Sequence, residues 1–230
     1  MLMMPVCKFL HLMDWRQKNV CVYRVNTVNI SSRCKSTGSN YSKWCHMIKK
    51  AYIEPPKKIP IYIKLGLIIA RKATGKDLLP PKLLAWYPKA AISSGVLEAL
   101  VAHGHPTKDL STKILQLIRV QVSIQVGCPF CIDMNSVDYL NNGITEEEMQ
   151  GLSGLLDLDL IPSLSEREKT AILYTKMMTQ TPIECSDAFM KRIKDAFSER
   201  EIVMIVSTAA QVNYWARLIK ALGVPPAGFM

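Results

Sequence analysis

The sequence predicts an all-α fold, and three observations carry that prediction. Thr145–Glu148, Ser165–Glu168 and Ser198–Glu201 each have the hydroxyl-x-x-carboxylate spacing of a capping box, in which side chain and backbone satisfy each other at a helix start. Apolar residues recur at three- and four-residue steps behind them. No Asn-Gly or Asp-Gly hairpin sits between alternating strands.

The elements follow in chain order. Pro55-Pro56-Lys57-Lys58 marks a hinge. Ile61 to Thr74 reads as a helix, with Gly75 just beyond it to take the left-handed closing conformation. Pro80-Pro81 starts a short helix through Leu83, Leu84 and Trp86, and Ile92 to His103 gives an amphipathic helix ending at Gly104. Ser111 is the N-cap of the next. That helix contains Val120-Gln121-Val122-Ser123-Ile124-Gln125-Val126, whose strict alternation is by itself a strand signal. Leu115, Ile118, Val122 and Val126 also form a helical face, and with helices on both sides the helix is the consistent choice. A helix stopping at Asn142-Gly143, then three capped helices with Gly223 closing the last, complete the domain.

The bulk numbers set limits. A chain of 230 residues that is 49% hydrophobic is large enough for one packed domain plus an extension. No uninterrupted apolar run reaches the roughly 18–20 residues of a membrane span; Ile59 to Ala70 contains Lys64 and stops at Arg71. Nine Lys and Arg against Asp14 place +8 of the +10 net charge in the first 50 residues. A nucleic-acid reader would carry its basic stripe on the folded domain, so no nucleic-acid partner is expected. Residues 1–54, basic and rich in hydroxyls around Ser31 to Ser42, are expected to be a mitochondrial transit peptide in front of a domain at 55–230. Without such an import step the protein would be cytoplasmic.

Of seven cysteines, Cys128, Cys131 and Cys185 fall in the domain. Gly127-Cys128-Pro129-Phe130-Cys131 is the sharpest constellation. Gly127 can end one helix and Pro129 suits the first position of the next, making Cys128 the N-cap and Cys131 the third helical residue. Both sulfurs then lie at the positive end of the helix dipole, which favours thiolate, and within reach of one another for a disulfide. Two inert buried thiols, or a zinc site completed by His103 and His105, are the other readings of a CxxC pair. A thioredoxin-like site would need a βαβ setting, which the pattern lacks.

The block LSTKILQLIRVQVSIQVGCPFCIDMNSVDYL, residues 110–140, resembles the signature region of the carboxymuconolactone decarboxylase and alkyl hydroperoxidase D (AhpD-like) superfamily. The resemblance extends over roughly residues 55–229. It implies an all-α fold that forms homo-oligomers, trimers or hexamers, with no cofactor and no metal. It further implies a thiol peroxidase or disulfide oxidoreductase acting on a peroxide or small-molecule disulfide, with a dithiol as reductant. Cys131 would be the peroxidatic residue and Cys128 the resolving one.

Two positions depart from the peroxidase pattern. A Glu twelve residues before the first cysteine is here Gln116, and a His four residues after the second is Asn135. Neither side chain titrates, so neither can act as the general base of the family's proton relay. His103, His105 and Tyr139 are possible substitutes, and Asn213, Tyr214 and Arg217 match a polar stretch of the family's last helix. A catalytically silent helical oligomer, serving as redox sensor or assembly partner, is therefore the alternative. Lactone decarboxylation has little support, because decarboxylase members generally lack the pair.

Overall fold

The computed structural model describes residues 50–99 and 109–229. The expected transit peptide, apart from residues 50–54, and the His103–Gly104 helix end lie outside them. Among the described residues there are nine α-helices, one 3-10 turn and no strand. The helices are α1 Ile61–Thr74, α2 Leu79–Leu84, α3 Pro88–Leu97, α4 Thr112–Val126, α5 Pro129–Asn135, α6 Glu146–Leu152, α7 Glu166–Thr179, α8 Asp187–Ala196 and α9 Glu199–Ala221.

Local chemistry sets most of the boundaries. Gly75 closes α1 at φ +68°, and Ser111 caps α4 by accepting from the Ile114 N–H. All three capping boxes form, at the starts of α6, α7 and α9. Helix α2 ends at Leu84, with Trp86 in the turn after it, and two further boundaries differ from expectation. Helix α3 begins at Pro88, four residues before Ile92, because Pro88 sits at the position where a fixed φ and a missing N–H favour initiation. The helix carrying the cysteines stops at Asn135 and not at Asn142-Gly143, and residues 136–143 form turns with Asp138 at φ +55°.

Helix α4 is the axle of the domain, packed against α9, α7, α5 and α6. Its Val120 is fully buried and its Gln121 nearly so, although they alternate in sequence. The strand-like pattern therefore does not separate an inner from an outer face; this helix is enclosed on most sides. Ile114, Leu115, Ile118 and Val122 pack with Ala171, Tyr174, Ile205, Ala209 and Val212 in one cluster. Leu117 and Val120 face a second, built on Tyr139, Ile144, Met149 and Ile172. Helix α9 is long and apolar enough by length and composition to cross a membrane. In this fold its Ile205, Ala209, Ala216 and Ile219 are buried in the core.

Two capping boxes converge on one cation. Lys113 of α4 reaches Glu148 at 2.8 Å and Glu168 at 3.1 Å, the third helical residues of α6 and α7. Burial would lower the Lys113 pKa, but the bonds to both carboxylates outweigh it and raise it. That contribution holds through neutral pH and is lost only as pH rises past about 10.5.

Burial pushes the Glu168 and Glu201 carboxyls up, yet Ser165 with Lys113, and Ser198 with Arg167, together hold them below the ordinary 4.5. A depressed carboxyl stabilises the fold above the unfolded-state pKa and loses that contribution as pH falls through the folded one. Thermal unfolding followed from pH 6 to 3 should show Tm dropping below about pH 4.5, and Glu168→Gln should flatten the drop. An equal slope in the variant would contradict this origin.

Candidate active site around Cys128 and Cys131

The cysteines take the positions their neighbours dictate. Gly127 ends α4 at φ +63°, and the Cys128 N–H donates back to the Ser123 carbonyl at 3.0 Å. Cys128 is then the N-cap of α5, with Pro129 first in the helix. The Cys131 N–H donates to the Cys128 Sγ at 3.3 Å. The two sulfurs are bonded, with Cα atoms 5.2 Å apart. Cys128 is 0% exposed and Cys131 3%, packed with Leu83 of α2, Ala216 and Ile219 of α9, and Val224.

Gln116 of α4 meets Asn135, the last residue of α5, and both are in structural use. The Gln116 amide nitrogen donates to the carbonyls of Asn135, at 3.0 Å, and Val137, at 2.8 Å. Its oxygen accepts from the Asn142 side chain at 2.8 Å. The Asn135 amide donates to the Ser123 hydroxyl at 3.0 Å, which donates in turn to the Arg119 carbonyl. Gln116 thus satisfies carbonyls that the end of α5 leaves open, which accounts for a helix stop with no Gly or Pro. A carboxylate here would face two carbonyl acceptors with nothing to donate.

Gln116→Leu would strand the two carbonyls and the Asn142 amide in a buried setting. The expected cost is about 2–3 kcal/mol, read as a lower midpoint in urea unfolding. A loss under about 0.5 kcal/mol would mean that the clamp contributes nothing.

Of the proposed substitutes, Tyr139 packs away from the pair. The chain leaves the helix before Tyr139, so this residue does not share a face with Cys131. Its ring lies in the Leu117–Val120 cluster and its hydroxyl donates to Glu146 at 3.3 Å. Burial, and then Glu146, push its pKa up from 10.0, making it a weaker acid. Asn213 ties α9 to α7 through Thr179 at 3.3 Å. Tyr214 and Arg217 are exposed on α9. His103 and His105, the other ligands of the zinc reading, lie outside the described residues. Among the described residues, no group of three or more His, Cys, Asp or Glu is placed to hold a metal. Cys185 is exposed and outside any disulfide, on the rim of a separate hollow lined also by Leu173, Met177 and Phe189.

One residue of the site was missed in the sequence. Asp133, two positions after Cys131, is 6% exposed and accepts from the backbone N–H groups of Ala227, Gly228 and Phe229 at 2.8–2.9 Å. The signal was an acid inside the cysteine helix itself, in CPFCIDMN.

Comparison with known proteins bears on this arrangement. The Bacillus subtilis (strain 168) protein YdfG, itself uncharacterised, is 31% identical over 109 residues, 47% of this chain and 72% of that one. Residues 94–176 match the pattern of the carboxymuconolactone decarboxylase family. The chain belongs to that family. Within this carboxymuconolactone decarboxylase-type chain, the matched stretch contains the whole of α4 to α6 and both cysteines. The fold is shared with a peroxidase-related protein from Silicibacter sp. TM1040, at TM-score 0.65 and 17% identity, covering 77% of this chain and 92% of that one. It is shared also with a peroxidase-related protein with an alkylhydroperoxidase AhpD core from Ralstonia eutropha JMP134, at TM-score 0.61 and 15% identity, covering 76% and 92%.

Proposed function

We propose that the protein is a thiol-dependent peroxidase or disulfide oxidoreductase whose working group is the Cys128–Cys131 pair. The observation that carries this reading is the pair itself, two sulfurs within bonding reach at a helix start, inside the stretch that matches the family. Family membership and the peroxidase-related neighbours are consistent with it.

The chemistry runs in three steps. The Cys131 thiolate attacks one oxygen of a hydroperoxide; an S–O bond forms, the O–O bond breaks, and the alcohol or water leaves with a proton. The Cys128 thiolate then attacks the Cys131 sulfenic acid, forming the disulfide and releasing water. A dithiol reduces the disulfide and is itself oxidised to one. The Cys131 N–H on the Cys128 Sγ would stabilise a Cys128 thiolate in either order of attack. The order of attack follows the family pattern. Neither Gln116 nor Asn135 can shuttle a proton, and loss of a positioned acid–base group costs about 10²–10⁴-fold in rate, so turnover is expected to be slow.

The deciding experiment follows hydroperoxide consumption by the purified protein with a dithiol. Consumption proportional to protein concentration supports the reading; a rate equal to the protein-free control removes it.

A second reading is favoured by the burial of the pair and the occupied relay positions: a redox-sensing oligomer that forms the disulfide without steady turnover. The solvent side of α1 supports association of protomers, since Ile61, Leu65, Ile68 and Ile69 are each more than half exposed. Disulfide formation without catalytic consumption would select this alternative.

A further inference from the structure

The pair is enclosed, yet any reaction with a peroxide or a dithiol needs an approach to sulfur. Among the described residues, the apolar cluster that encloses the pair draws on Leu83 of α2, Ala216 and Ile219 of α9, Ala51 near the start of the described chain, and Val224 with Ala227 after α9. Moving α2 or α9 would break packed helices. The stretch 224–229 has no regular secondary structure and is held by a few discrete contacts, so it can open without breaking a helix.

Its path is set by a few identifiable contacts. Gly223, at φ +63°, turns the chain back after α9, and a Cβ there would come within 2.7 Å of the Tyr52 ring. Three successive N–H groups, from Ala227 to Phe229, then close on the Asp133 carboxylate, with Gly228 at φ +73°. Successive amides curled around an anion form a nest that holds it from several sides. Lys76 adds a second anchor, donating to the Gly228 carbonyl at 2.7 Å and lying 5.4 Å over the Phe229 ring.

We propose that residues 224–229 are a gate over the cysteine pair, latched by Asp133 and Lys76, and that exchange at Cys128–Cys131 requires its release. The inference rests on the redox reading of the pair and adds the control of access to it. Asp133 is a positioning residue: it stands in the same short helix as Cys131 and acts on the sulfurs only through the segment it holds. A dithiol or peroxide small enough to enter on partial opening would be handled faster than a bulky one.

The test uses the full chain in its oxidised form and no peroxide. Reduction of the Cys128–Cys131 disulfide by dithiothreitol is followed by quenching, alkylation and peptide mass, which separates this pair from Cys185. Asp133→Ala should accelerate reduction about tenfold, and Lys76→Ala, at the surface, about threefold, as expected for losing charge-assisted hydrogen bonds from a local closed state. Asp133→Asn should fall between wild type and Asp133→Ala. Should Asp133→Ala fail to fold, Lys76→Ala and Asp133→Asn carry the comparison. Folded variants that all reduce at the wild-type rate, or more slowly, overturn the gate. Because no peroxide enters the assay, failed peroxide consumption counts against the proposed function alone, and unchanged reduction rates count against the gate alone.

Discussion

Cys131→Ser should reduce dithiol-dependent peroxide consumption to the uncatalysed level. A serine hydroxyl is not ionised near neutral pH and cannot replace the sulfur as nucleophile or form a disulfide. Cys128→Ser should behave differently. The first attack remains possible, so one equivalent of peroxide is consumed and Cys131 stays as a sulfenic acid that a dimedone-type reagent traps. Steady turnover then depends on the added thiol resolving that acid directly. If instead Cys128→Ser abolishes the trapped sulfenic acid and Cys131→Ser retains it, the order of attack is reversed. The Cys131 N–H on Cys128 would then be activating the attacking sulfur.

The largest expected effect on stability comes from Lys113→Met. Glu148 is fully buried, and its charge is answered by Lys113 at 2.8 Å and by its own capping box. Removing one partner of a buried ion pair leaves an uncompensated charge, which costs about 3–5 kcal/mol, far more than an exposed pair would. The same cation serves Glu168, so the variant weakens the starts of α6 and α7 together. Urea unfolding should show a midpoint lowered by that amount, with Lys113→Arg close to wild type. A loss below about 1 kcal/mol in Lys113→Met would mean that the three-helix junction does not depend on this charge.

What the sequence made legible was local. The capping boxes at Thr145, Ser165 and Ser198 concern groups three residues apart, and each forms as spelled. Gly127-Cys128-Pro129 is equally self-contained, and the N-cap assignment of Cys128 holds. The end of α5 was not legible, because it is fixed by Gln116 reaching across from α4 rather than by a Gly or Pro in place. Gln116 and Asn135 could be seen to lack titrating groups, but not that both amides were committed to holding the turn after the helix. Asp133 shows the limit best. Its partners are backbone N–H groups about 95 residues away, which no side-chain motif announces.

These long-range contacts change the picture of the site. A reactive pair with altered relay residues is instead a reactive pair whose relay positions brace the helix and whose sulfurs lie under a latched segment. On the proposed reading, slow, access-limited chemistry would follow.

The central claim is that peroxide oxidises this pair, and a single-turnover titration tests it most directly. Fully reduced protein is mixed with hydroperoxide in sub-stoichiometric steps, and the state of each cysteine is read by alkylation and peptide mass. The account predicts that Cys128 and Cys131 disappear together, two thiols per peroxide, into one disulfide while Cys185 stays free. Thiols at 128 and 131 that remain reduced while peroxide persists, or that are lost no faster than Cys185, would contradict it.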